Sequence, residues 1–129
     1  MSTNAPVSET LQAATTIAKT TQTLIGKVIA TGGYEYITLF FTYVKGDETG
    51  LTLIPSMMRT ATGTAHPFAE WSAAAGAKTV TSSNFALTAS RNGYITLDVR
   101  GIAYIMFTQG GTANDGTPTG TLAASYSLK

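Results

Sequence analysis

Cysteine is absent from this 129-residue chain. No disulfide framework, thiolate nucleophile or cysteine-based metal site can form. Histidine occurs once, as His66, which excludes a multi-histidine zinc site and the H-E-x-x-H helix. Charge is scarce: 12% of residues are charged, against roughly 25% in an average soluble domain. Eight basic and seven acidic residues leave a formal net charge of +1. Nucleic-acid binders displace counterions with a basic stripe, so no nucleic-acid partner is expected. Long apolar runs are also missing. The longest stretches, 34–44 and 102–107, are too short to span a bilayer, and no membrane partner is expected. The opening residues lack the basic segment and continuous apolar run of a signal peptide, so synthesis in a cytoplasm is expected.

What is present is a hydrophobic fraction of 43%, enough to bury a real core in one domain. Residues 1–23 form a polar, Thr- and Ala-rich arm. Leu11, Ala14 and Ala18 have helical spacing, but the β-branched Thr15, Thr16, Thr20 and Thr21 oppose a helix. Beyond the arm the pattern has period two. Residues 34–45 give the strongest strand, with Ile37, Leu39 and Phe41 as its core face. Large groups on its other face, Tyr36 and Phe40 among them, suggest a central strand. Residues 46–50 read as a turn. Residues 51–57 form a strand with Leu51 and Leu53 inward, and Pro55 implies an edge position or the strand's end.

Residues 59–78 break the rhythm. Pro67 could start a short helix over 68–75, stopped by Gly76. Strand pattern resumes over 79–91. Asn92-Gly93 is a hairpin signal. Residues 94–99 place Ile95, Leu97 and Val99 inward and Tyr94 outward. Arg100-Gly101 is a tight turn or bulge. Residues 102–109 turn Ile105 and Phe107 to one face, 110–120 form a glycine-rich loop, and 121–128 alternate with Leu122, Ala124, Tyr126 and Leu128 on one face. The fold expected is all-β: a single jelly-roll-like β-sandwich of about seven strands over 24–129, with the extended arm 1–23 and one short helical excursion.

The pattern offers no catalytic machinery. The acids, among them Glu9, Asp47, Glu48 and Asp98, read as solvated groups rather than a glycosidase pair. His66 has no G-x-S-x-G partner and reads as a surface histidine. Gly110-Gly111 lacks phosphate-loop spacing, and Asn114-Asp115-Gly116 fits an Asx turn better than a calcium loop. No catalytic group, cofactor or metal is expected. Exposed aromatics, Trp71 first among them with Phe68, Tyr34, Tyr36 and Tyr43, could stack sugars, or they fill a core or subunit contact. Met57-Met58 is an adaptable apolar pair suited to a contact surface.

Two segments carry a family resemblance. Tyr43-Val44-Lys45-Gly46-Asp47-Glu48-Thr49-Gly50-Leu51-Thr52-Leu53 resembles a stretch common in small structural proteins of tailed bacteriophages, where a strand ends in K-G-D-E-T. Tyr94-Ile95-Thr96-Leu97-Asp98-Val99-Arg100-Gly101-Ile102-Ala103-Tyr104 is similar to their strand pair joined at a glycine, and Gly120-Thr121-Leu122-Ala123-Ala124-Ser125-Tyr126 to their ending. The resemblance covers residues 34–57 and 92–128. These motifs encode turns and strands, not chemistry. Pro55-Ser56-Met57-Met58-Arg59 stands where such proteins often carry an acid and a Ser-Asp-Gly turn, so nothing about that turn carries over.

The resemblance implies a non-enzymatic virion protein, a capsid decoration (cement) protein or a head or tail accessory. It would be a homo-oligomer, often a trimer, bound to the major capsid protein or another virion protein. The protein-contact residues expected are Leu11 and Ile17 in the arm and Met57, Met58, His66, Phe68 and Trp71 in the excursion. The competing expectation is a glycan- or receptor-binding β-sandwich module of a tail or fibre, resting on Trp71.

Overall fold

The computed structural model describes residues 5–19, 21–74, 77–82, 85–111 and 117–129, the side chains of residues 69–82 excepted. Strands run through it in antiparallel ladders. The first sheet holds, in spatial order, β1 (Val7–Thr16), β12 (Thr121–Leu128), β4 (Tyr36–Val44) and β10 (Arg91–Asp98). The second is built on β2 (Thr23–Leu24), β11 (Tyr104–Gly111), β5 (Leu51–Met58) and β6 (His66–Pro67), with β3 (Ile29–Ala30) on β11 and β9 (Phe85–Leu87) on β5. A separate hairpin pairs β7 (Ala69–Ala74) with β8 (Ala77–Ser82).

Alternation decides which side chains make the core, because successive residues of a strand face opposite ways. Ile37, Leu39, Phe41 and Tyr43 of β4 are buried, as are Leu122, Ala124, Tyr126 and Leu128 of β12. They join Leu51 and Leu53 of β5 and Ile105 and Phe107 of β11 in one hydrophobic cluster. The jelly-roll-like sandwich expected from the pattern is the fold observed, with more and shorter strands than the alternation resolved.

Four local expectations are corrected. No helix occurs among the described residues, and none is long and apolar enough to cross a membrane. The segment 68–74 is extended because two strand-forming partners claim it. The Phe68 N–H donates to the Pro55 carbonyl at 3.1 Å, and Ala69–Ala74 pairs residue by residue with a strand containing the β-branched run Thr79-Val80-Thr81. Asn92-Gly93 is not a turn but the interior of β10, opposite Thr42 and Phe41. The glycine is there for room: a Cβ on Gly93 would stand 2.6 Å from Phe41 Cζ. Gly93→Val should therefore lower stability by about 1–3 kcal/mol through overpacking, despite valine's preference for strands. Chemical denaturation of the variant checks this. The expected strand over 79–91 divides into β8 and β9, two partners of different sheets. Gly110 and Gly111 continue β11 rather than opening the loop, opposite Thr52 and Leu51.

Pro55 sits in mid-strand, which proline tolerates only where no ladder donor is needed. The Phe107 carbonyl opposite it is taken by the Ile25 N–H at 2.8 Å, on the far side of β11. Alternation of the ladder therefore points the Pro55 nitrogen away from β11. There it meets the gap between β9, which pairs with Leu51–Leu53, and β6, which pairs with Ser56 and Met57.

Of the segment read as an arm, Val7–Thr16 is a strand of the first sheet, running from Val7 opposite Leu128 to Thr16 opposite Thr121. Its ladder slips twice, around Gln12. The chain then crosses to the second sheet. The Ile17 N–H donates to the Gly120 carbonyl at 3.1 Å, the Ala18 N–H to Gln109 Oε1 at 3.0 Å, and the Gly111 N–H to the Ala18 carbonyl at 2.8 Å.

Candidate functional site

Among the described residues, four of the six exposed large hydrophobic side chains, Tyr36, Phe40, Val44 and Tyr94, lie on β4 and β10, on the outer face of the first sheet. On β4 the residues alternating with the core set are Tyr36, Thr38, Phe40, Thr42 and Val44. Tyr36 is 40% exposed, Phe40 46% and Val44 53%. β10 lies alongside in unbroken register and places Tyr94, 70% exposed, directly opposite Phe40. The two rings stand 6.4 Å apart at 44°, a tilted aromatic pair across strands. One pair along, the Thr38 and Thr96 hydroxyls share a hydrogen bond at 3.0 Å. Tyr36 closes the stripe under the Arg100 guanidinium, 5.8 Å from its ring centre. On β12 the same face carries the hydroxyls of Ser125 and Ser127.

This face is shallow. Depressions of about 430 Å³ and 420 Å³ lie on either side of Phe40, one bordered by Gln12, Thr42 and Asn92, the other by Tyr36, Thr96 and Ser127. Its charge lies at its margin, with Lys129 beside the second depression and an Asp98–Arg100 pair at one end. Asp98 accepts from Arg100 Nε at 3.0 Å and Nη2 at 2.5 Å. That side-chain contact, with the Arg100 amide, holds the Asp98 carboxyl at about 2. The face therefore offers rings, methyls and hydroxyls, with an ion pair and Lys129 at its margin.

The acids elsewhere serve the fold. Glu48 was expected to be solvated in its turn, yet it is 1% exposed. Tyr43 Oη donates to its carboxylate at 2.5 Å, the Gly46 and Gly120 amides at 2.9 Å, and the Thr119 amide at 3.3 Å. Burial alone would raise this carboxyl. The tyrosine and backbone donors outweigh it and hold the group at about 2. A Cβ at Gly120 would stand 2.1 Å from Glu48 Oε2, so only glycine admits the carboxylate there. Glu9 accepts from Tyr126 Oη at 2.6 Å and from Lys27 Nζ at 3.1 Å, and these contacts lower its carboxyl. Among the described residues, no group of three or more His, Asp or Glu is placed to hold a metal. The Asn114-Asp115-Gly116 segment lies outside the described residues.

The structure places the contact residues expected from the sequence in different settings. Leu11, Ile17 and Met58 are buried in the chain's own interior, at 8%, 4% and 6% exposure. Phe68 is half-buried against the core. Met57, 39% exposed, and the exposed His66 are register partners across β5 and β6, and His66 borders a depression with Arg59 and Thr64. Trp71 is paired with Val80 in the separate hairpin, and its side chain is outside the described set. Phe40 and Tyr94, the exposed ring pair of this face, were not among the residues singled out from the sequence. Their signal was the run of large groups on both faces of β4, which reads equally as burial on both sides.

No family model matches the chain, and neither does any curated protein sequence. Among solved structures, the SPBc2 prophage-derived protein YomS is similar with a TM-score of 0.58, at 15% identity over 96% of this chain and 92% of that one. A structure from work on Bacillus endospore appendages, described as a family of disulfide-linked pili, gives 0.52 at 15% identity over 96% and 88%. A chain of infectious bursal disease virus, Gx strain, gives 0.49 at 12% identity, over 97% of this chain and 32% of that one. At such identities the first two likenesses establish a shared fold. The disulfide linkage named for the pili has no counterpart in a chain without cysteine.

Proposed function

We propose that this protein is a non-enzymatic virion structural protein that binds the major capsid protein or another virion protein, as a decoration (cement) protein of a phage head. The observation that carries the proposal is the uncovered, nearly uncharged aromatic face of β4 and β10. Core-like residues left open on a flat sheet suit a broad protein surface better than a small molecule, which favours a concave pocket. Two further observations support it. The fold is shared with a prophage-derived protein. Glu48, Glu9 and Asp98 are each engaged by hydrogen bonds within the chain, which leaves them poor candidates for acid–base chemistry.

The test is density-gradient fractionation of a producing culture, with this chain quantified by mass spectrometry against the major particle protein. Stoichiometric co-sedimentation is expected for the natural chain, and a loss of most of it for a Phe40→Ala, Tyr94→Ala double variant. A few copies per particle would move the site to the tail or fibre. Absence from every particle would overturn the virion role.

A second reading keeps one specific observation: Tyr36, Phe40 and Tyr94 stand among the hydroxyls of Thr38, Thr96 and Ser127, as on a sugar-stacking platform. A glycan-binding module would retain cell or glycan binding without any particle, and would lose it with Tyr36→Ala.

A further inference from the structure

We infer that the β10 edge of the first sheet pairs with the β10 edge of a second copy of this chain, making a two-fold dimer whose first sheets run on as one. A sheet edge presents a row of backbone donors and acceptors, and proteins ordinarily blunt such edges with bulges, proline or very short strands. The two edges of this sheet differ in that respect. β1, at one edge, has a ladder that slips twice around Gln12. β10, at the other, has eight residues, no proline, and unbroken register with β4 from Arg91 opposite Tyr43 to Asp98 opposite Tyr36. Among the described residues, β4 is its only strand partner.

The direction of the free groups follows from one bond. The Val99 N–H donates to the Glu35 carbonyl at 2.8 Å. Backbone groups alternate sides along a strand, so Leu97, Ile95 and Gly93 also bond toward β4. Asn92, Tyr94, Thr96 and Asp98 then direct their N–H and C=O groups outward.

The occupant follows from the strand's own sequence. A two-fold axis passing beside Ile95 keeps each face on its own side and pairs residues whose numbers sum to a constant. Asn92 then meets Asp98 of the other copy, and Tyr94 meets Thr96. All four outward-directed residues hydrogen-bond across the seam. On the inner face Ile95 meets its own copy, and Leu97 comes beside Gly93, where it meets the Phe41 ring that already lies over the glycine. On the outer face the Asn92 amide donates toward the Asp98 carboxylate, and Tyr94 gains cover from Thr96. No like charges oppose. This symmetry is two-fold, in place of the trimer implied by family resemblance. It goes beyond the proposed particle role and does not depend on it.

Light scattering on the purified full chain, coupled to size exclusion over a wide concentration range, tests the assembly. A mass twice that of the chain is expected; a monomer at the highest concentration, or a trimer, overturns it. Thr96→Pro removes an outward N–H and leaves the ladder to β4 intact, so it should be monomeric with an unchanged circular dichroism spectrum. A persistent dimer in that folded variant also overturns the proposal. Residue-resolved hydrogen exchange on the natural chain covers the case of a misfolded variant. Slow exchange is expected at Tyr94, Thr96 and Asp98 as well as at Ile95 and Leu97. Fast exchange confined to Tyr94, Thr96 and Asp98 would show an open edge and overturn it.

Discussion

Replacing Glu48 with glutamine should lower stability at neutral pH by about 3 kcal/mol. The carboxylate is a buried clasp, holding the turn after β4 to the segment entering β12 through donors from Tyr43, Gly46, Thr119 and Gly120. All of these donate, so they want an acceptor-only group. The glutamine amide must turn an NH₂ toward one of them, leaving a buried donor facing a donor. The pH dependence separates this from simple loss of packing. In the folded chain the carboxyl sits at about 2, below its ordinary value of 4.5. Between those values the unfolded chain binds more protons, so stability rises with pH across that window. The contribution is fully present above about pH 5 and is lost as pH falls through about pH 2. Urea titrations across that range should show a slope in the natural chain that is flattened in Glu48→Gln. Equal slopes would mean that the carboxylate is not held as described.

Phe107→Ala and Phe40→Ala should separate what holds the fold from what the fold presents. Phe107 is fully buried between the sheets. Truncating it removes the ring and leaves a cavity, at a cost of about 3–5 kcal/mol. Phe40 is 46% exposed on the outer face, with Tyr94 beside it. Its truncation should cost on the order of 1 kcal/mol, since little area is withdrawn from a packed interior. Particle binding should follow the opposite order at a temperature where both variants are folded. Thermal unfolding and co-sedimentation of the same two preparations check the pair. A Phe40→Ala chain that binds as well as the natural one would remove the aromatic face from the proposed function.

Much of the fold was legible because period-two alternation is a local signal. Residues 121–128 and 94–99 declared their inner faces in sequence, and the structure buries those side chains, Leu97 in part. Gly93 misled because a glycine demanded by a neighbouring ring looks the same as one demanded by a turn. Phe41, which sets that demand, is 52 positions earlier in the chain. Residues 68–75 misled because alanine is permissive, and the strand partner that draws it out lies just beyond the segment. The Glu48 clasp could not be read at all. Three of its four partners are backbone amides, two of them about 70 residues away, and a backbone amide leaves no mark in composition. The candidate site was half legible. Large residues on both faces of β4 were plain, but whether a second layer covers them is a property of the whole chain.

The four long ladders join β1 to β12, β12 to β4, β4 to β10 and β5 to β11. In each, the two strands are separated by dozens of residues. A ribosome therefore releases β4, with bulky groups on both faces, well before either of its neighbours exists, and β1 waits for nearly the whole chain. Closure of distant pairs of this kind places folding in the range of milliseconds to seconds rather than microseconds. During that interval β4 stands open to a neighbour's, so association between unfinished chains competes with folding and rises with concentration.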